Sequence, residues 1–148
     1  MAGELYLDDL HVGRRFTAGP VTVTAAEIKS FAAAFDPQPF HLDEAAAEAT
    51  LFRGLAASGW HTAALTMRML TAGGLPIATG VIGVGGEIAW PRPVRAGDAL
   101  RVETEVLEIT PSRSKPTQAV VKVRTTTLNQ NGETVQVLTA KLLAFARP

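Results

Sequence analysis

Between Phe35 and Asp43 the chain reads Phe-Asp-Pro-Gln-Pro-Phe-His-Leu-Asp, its densest run of reactive side chains. Asp36 and His41 lie five residues apart with two prolines between them. Proline fixes φ and removes a backbone donor, so this loop is stiff before any ligand arrives. Pinned at both ends, it can hold a carboxylate and an imidazole within reach of one water. Near their reference pKa values the Asp is ionised at neutral pH and the His largely neutral. Such a pair can orient a water, take its proton and return one elsewhere, which is general acid–base catalysis. The same residues also have plainer uses: an Asp often caps a helix end, and a His before a helix is often a surface group.

The flanking elements decide whether the pair can be held. Thr24-Ala25-Ala26-Glu27 reads as a capping box, starting a helix with Ile28, Phe31, Ala32 and Phe35 on one face. Pro37 disfavours helical geometry in the residue before it, so this helix ends at Asp36. A second short helix runs from an Asp43 N-cap through Glu44 to Ala49, with His41 just before it. A third is expected from Ser58 or Gly59 to Ala72, ended by Gly73 and Gly74. Its residues Trp60, Ala63, Ala64, Leu65, Met67, Met69 and Leu70 leave almost no polar face, so it should be buried on most sides.

An extended segment around Arg14 to Val23 precedes these helices. Strand-length runs follow them at Val81–Trp90, Ala99–Ile109, Gln118–Leu128 and Glu133–Ala146. Asn131-Gly132 marks a hairpin between the last two. Four antiparallel strands curled around one buried helix give an α+β hot-dog domain spanning 1–148.

Composition removes several function classes. The 148 residues are 47% hydrophobic and 19% charged, with formal net charge zero. No basic field is available for nucleic acid or an anionic membrane. The absence of cysteine excludes disulfides, thiolate metal sites and a cysteine nucleophile. Met1 to Leu10 lacks the basic and apolar regions of a signal peptide, and no run is long enough to span a bilayer. These features point to a cytoplasmic protein. Its high apolar fraction and unpaired sheet edges point to a homodimer or higher oligomer.

The segment Asp36 to Asp43 resembles the signature of MaoC-like dehydratases and (R)-specific enoyl-CoA hydratases: Asp, any residue, Asn, Pro, any residue, His, any residue, Asp. Ala57-Ser58-Gly59-Trp60 stands where that family has a small-residue turn opening its central helix, and Pro91 to Asp98 resembles its Pro-Val-x-x-Gly-Asp turn. Gln38 replaces the usual Asn, Pro37 adds a second proline, and Ser58 stands in for the usual His. Met67 occupies the neighbourhood of a helical serine found in some members. The resemblance implies a hydro-lyase that interconverts trans-2-enoyl and (R)-3-hydroxyacyl thioesters. It gives water activation to Asp36 and His41 and the thioester oxygen to the Gly59 amide. An N–H opening a buried helix suits that task independently, being an oriented donor at the positive end of a dipole. Ser58, Trp60, Thr62 and Phe40 are expected on the substrate side. The thioester of coenzyme A or acyl carrier protein is the substrate, and no separate cofactor or metal is expected.

Other residues have simpler readings. His61 is expected to pack or hydrogen-bond within the helix, His11 to be solvated, and Asp43 to be a cap. Gly83, Gly85 and Gly86 form no phosphate loop and suggest a bulge or a close approach. Arg113 and Lys115 could meet coenzyme A phosphates or simply belong to a solvated turn. Two other activities fit the same outline. A hot-dog thioesterase would release free thiol, and a non-catalytic acyl-thioester binding subunit would not depend on Asp36.

Overall fold

Strands β1 (Arg15–Thr22), β2 (Ile82–Ala89), β3 (Ala99–Pro111), β4 (Gln118–Leu128) and β5 (Thr134–Phe145) make one antiparallel sheet, ordered β1-β3-β4-β5-β2. They are seen in a computed structural model that describes residues 4–148, so the first three residues of the expected 1–148 domain, and of the Met1 to Leu10 stretch, lie outside it. Strict alternation turns Leu100, Val102, Thr104 and Val106 of β3, and Ala119, Val121, Val123, Thr125 and Thr127 of β4, to the interior. The extended segment before the first helix is a full fifth strand. β1 pairs with β3 from Arg15 opposite Glu105 to Thr22 opposite Ala99.

Helices α1 (Ala25–Phe35), α2 (Pro39–Leu42), α3 (Glu44–Glu48) and α4 (Gly59–Met69) connect β1 to β2. The Thr24 hydroxyl oxygen accepts from the Glu27 amide at 3.2 Å and caps α1. The Glu27 carboxylate accepts from that same hydroxyl at 3.0 Å, so only half of a reciprocal capping box forms. Asp43 caps α3 by accepting from the Ala46 amide at 2.8 Å. Helix α2 has no counterpart in the sequence reading. Pro39 opens it at a position where the missing N–H costs nothing, and His41 lies inside it rather than before the next helix.

Helix α4 lies across the concave side of the sheet, as the hot-dog arrangement requires, but its buried face mixes polar residues with apolar ones. His61, Thr62, Leu65, Thr66 and Met69 are buried, while Trp60 is 61% and Met67 42% exposed. The expected burial on most sides is therefore incomplete within one chain. The buried threonines are satisfied by the sheet. Thr66 Oγ1 and Thr127 Oγ1 share a hydrogen bond of 2.7 Å, and Gln136 Nε2 donates to Thr66 Oγ1 at 3.0 Å. The helix stops at Met69, and a wider π turn over Leu70–Gly74 replaces its expected last turn. Gly73 sits there at φ 143°, a conformation that favours glycine.

Two apolar clusters fill the concave side. One joins Ile28 and Val23 to Leu65, Met69, Leu100, Val102 and Val135; the other joins Leu70 and Leu75 to Val106, Val121 and Leu142. Strand β2 stands apart. It pairs only with β5, and every residue but Ile88 is exposed, including Ile82 at 42% and Val84 at 55%.

Candidate active site

Asp36 terminates α1, its amide donating to the Ala32 carbonyl at 2.8 Å. Pro37 and Pro39 then hold the chain extended at Gln38 (φ −108°, ψ 147°) before α2 begins. This brings His41 back to Asp36, with Nε2 3.3 Å from Oδ2. The spacing read from the sequence as a possible acid–base pair is thus a direct contact.

Each member of the pair is held from behind. His41 is 4% exposed, and its Nδ1 lies 2.6 Å from the Ala56 carbonyl oxygen. A carbonyl only accepts, so Nδ1 carries a proton, and Nε2 is the nitrogen that meets Asp36 at the cleft. Phe40 packs edge-on to the imidazole with centroids 4.6 Å apart, and Phe52 lies 6.0 Å away. Asp36 Oδ2 accepts from Ser58 Oγ at 2.7 Å, and Oδ1 accepts from the Gln38 carboxamide. Burial acts to raise the Asp36 carboxyl. The Ser58 and Gln38 hydrogen bonds, with the neighbouring His41, outweigh it and hold the group below the ordinary carboxylate value.

Gly59 opens α4, so its N–H has no intrahelical acceptor. Asp36, His41 and Gly59 all line one cleft of about 510 Å³ whose other walls include Phe40, Phe52, Thr62 and Val94. The Trp90 indole covers Gly59: a β-carbon there would stand 2.6 Å from Trp90 Cε2. Trp90 is itself fixed, since its Nε1 donates to Gln136 Oε1 at 2.9 Å and Trp60 meets it edge-on at 5.3 Å.

Of the residues expected on the substrate side, Phe40, Trp60 and Thr62 line the cleft. Ser58 does not. It is fully buried behind Asp36, where it gives its proton to the carboxylate and accepts from the Trp60 amide at 3.3 Å. Arg113 and Lys115 lie in the exposed turn between β3 and β4 and take no part in the cleft. His11 is exposed, and Asp43 acts as a cap. His61 packs: it stacks on Phe31 at 4.7 Å, and its Nδ1 finds no hydrogen-bond partner among the described residues. Burial pushes its pKa down against the opposing charge of Glu27. Trp90, Gln136 and Arg95 were missed. Trp90 closes a strand and Arg95 sits in a recognised turn, but no spacing ties either to the Asp36 loop. The described residues include no group of three or more His, Cys, Asp or Glu able to hold a metal, and no helix long and apolar enough to cross a membrane.

The chain as a whole has relatives. The profile of the MaoC like domain matches residues 10–129. A crystal structure of the MaoC-like dehydratase from Rhodospirillum rubrum is 60% identical and superposes with a TM-score of 0.96, over 97% of this chain and 99% of that one. The R-hydratase PhaJ1 from Pseudomonas aeruginosa is 30% identical, with a TM-score of 0.77 over 97% of this chain and 88% of that one. The uncharacterized protein YdeM of Bacillus subtilis is 30% identical over 125 residues, 84% of this chain and 87% of the relative.

Proposed function

We propose that this chain, which belongs to the MaoC-like dehydratase domain family, reversibly adds water to trans-2-enoyl thioesters to form (R)-3-hydroxyacyl thioesters. The observation that carries this reading is the 3.3 Å approach of His41 Nε2 to Asp36 Oδ2 in a cleft that Gly59 also lines. Asp36, kept ionised, orients one water. His41 Nε2 takes a proton from that water as its oxygen bonds to C3. The electrons of the double bond shift toward C2 and the thioester oxygen, where the Gly59 N–H opposes the growing charge. C2 then collects the proton from the His41 imidazolium, so the net change is one added water. The aromatic and aliphatic walls suit an acyl chain, and the carrier is coenzyme A or acyl carrier protein. No separate cofactor enters this scheme.

We propose further that the protein works as a homodimer in the cytoplasm. The support for the dimer is the open edge of β2 together with exposed Trp60, Met67, Ile82 and Val84.

The test is a panel of enoyl-CoAs followed both for loss of conjugation and for free thiol, with chiral analysis of the product. Loss of conjugation with an (R)-product and no thiol is expected. Thiol release without hydration would assign a thioesterase instead. Binding without turnover, unaffected by Asp36→Asn, would leave a non-catalytic acyl-thioester binding protein.

A further inference from the structure

We propose that Arg95 is a positioning residue for His41, acting through the backbone of the loop between α3 and α4. Its guanidinium binds three carbonyls of that loop: Nη1 donates to Gly54 O at 2.9 Å and Leu55 O at 3.2 Å, and Nη2 donates to Phe52 O. The next carbonyl along, that of Ala56, receives the His41 Nδ1 proton.

The start of the loop is braced by local bonds, Arg53 N–H donating to Thr50 O at 3.0 Å and Gly54 N–H to Ala47 O at 3.3 Å, but Arg95 is the side chain that gathers its carbonyls. Arg53 adopts φ 52°, which side-chain-bearing residues rarely favour, and Gly54 adopts φ 152°. Such a turn aims successive carbonyls toward one point, and a cation with five donors in a rigid fork is suited to collect them. Arg95 is itself anchored, its amide donating to Asp98 Oδ2 at 2.9 Å while Gln130 donates to Asp98 Oδ1 at 3.0 Å. Beyond the loop, the Ala56 amide donates to Phe40 O at 3.0 Å and the Ala57 amide to Val94 O at 2.9 Å. Ala56 is therefore clamped from the Arg95 turn on one side and from α2 on the other. Its carbonyl decides which His41 nitrogen keeps the proton. If the loop relaxes, that acceptor moves and Nε2 no longer has to be the free base.

The inference rests on the hydratase reading for its kinetic consequence but not for its structural one. The experiment therefore reads both in the intact protein. Arg95→Lys keeps the charge and most of the stem but cannot bridge three carbonyls. Arg95→Ala, assayed with and without methylguanidinium, restores the planar donor without the chain. ¹⁵N chemical shifts of His41 report its tautomer. In wild type the neutral ring should carry its proton on Nδ1. In the folded lysine variant both tautomers should appear, and kcat should fall by about 10²-fold, the scale of an ångström-sized misplacement, with KM changed only a few-fold. Methylguanidinium should recover part of kcat in the alanine variant.

An unchanged His41 tautomer in folded Arg95→Lys would overturn the proposal, even if activity were lost. A raised KM with unaltered kcat would also overturn it, pointing to direct substrate contact. A shifted tautomer in a protein whose wild type hydrates no enoyl thioester would uphold the positioning role and dismiss the assigned reaction.

Discussion

The Trp90 ring occupies the space that a side chain at residue 59 would need: a β-carbon on Gly59 would stand 2.6 Å from Trp90 Cε2 and 2.8 Å from Cδ2. Glycine is required there for packing, whatever its amide does. Gly59→Ala should therefore lose about 1–3 kcal/mol of stability, as overpacked interiors do. In a Trp90→Leu background the same change should cost clearly less, and a double-mutant cycle by urea denaturation measures that difference. Proline at residue 59 also brings a β-carbon, so it cannot isolate the N–H. An amide-to-ester replacement at Gly59, which removes the N–H and adds no side chain, should lower kcat by about 10²–10³-fold. Near-normal turnover by the folded ester would free Gly59 from the oxyanion role.

Asp36→Asn and His41→Gln should each lower kcat by about 10²–10⁴-fold in the enoyl-CoA assay. In the proposed reaction both act on one water, so the double variant should be little slower than the poorer single one. Multiplication of the two losses would mean that they serve separate steps.

Ser58→Ala makes a prediction with a sign. Ser58 helps hold the Asp36 pKa down, so removing its hydroxyl moves that pKa up. The proposed reaction needs ionised Asp36, so the acidic limb of the rate profile should shift to higher pH. The stability follows the same sense. A carboxylate depressed in the folded state stabilises the fold above its unfolded pKa, and the benefit disappears as pH falls through the folded value. Ser58→Ala should narrow that window and also cost about 1 kcal/mol through loss of the α4 cap. An acidic limb that stays in place would separate Ser58 from the working carboxylate.

The exposed edge of β2 predicts a dimer in sedimentation experiments at micromolar concentration. Ile82→Lys with Val84→Lys should drive it toward monomer, since lysines on a strand edge discourage pairing. A wild-type monomer would remove the assembly from the proposal.

What the sequence disclosed and what it hid have physical causes. Asp36 and His41 were legible because Pro37 and Pro39 punctuate a short segment whose chemistry is local. The strand-rich half was legible because alternation continues for many residues, as in β4, whose bounds matched. Helix α2 was not, since four residues are too few to show a period. The Trp90–Gln136–Thr66 connection joins side chains 46 and 70 positions apart, and only the closed fold brings them together. Arg95 was hidden for a different reason. Its partners are peptide carbonyls, which every residue possesses, so they leave no mark in the sequence of residue types.

The polar residues on the buried face of α4 have a further consequence. With Trp60 and Met67 on its outer side, α4 has apolar residues beyond its buried face, and the hydrophobic effect alone discriminates only weakly among azimuths. Turning it by one position, about 100°, could bring Trp60 and Ala64 to the sheet but would carry Arg68 with them. It would also strip the Gln136 carboxamide and the Thr127 hydroxyl of Thr66, leaving polar atoms stranded in the interior at about 1–3 kcal/mol each. The threonine thus works like the key on a shaft, fixing rotation where grease alone would let it spin. The azimuth it selects is the one that puts Gly59 beside Asp36 and His41.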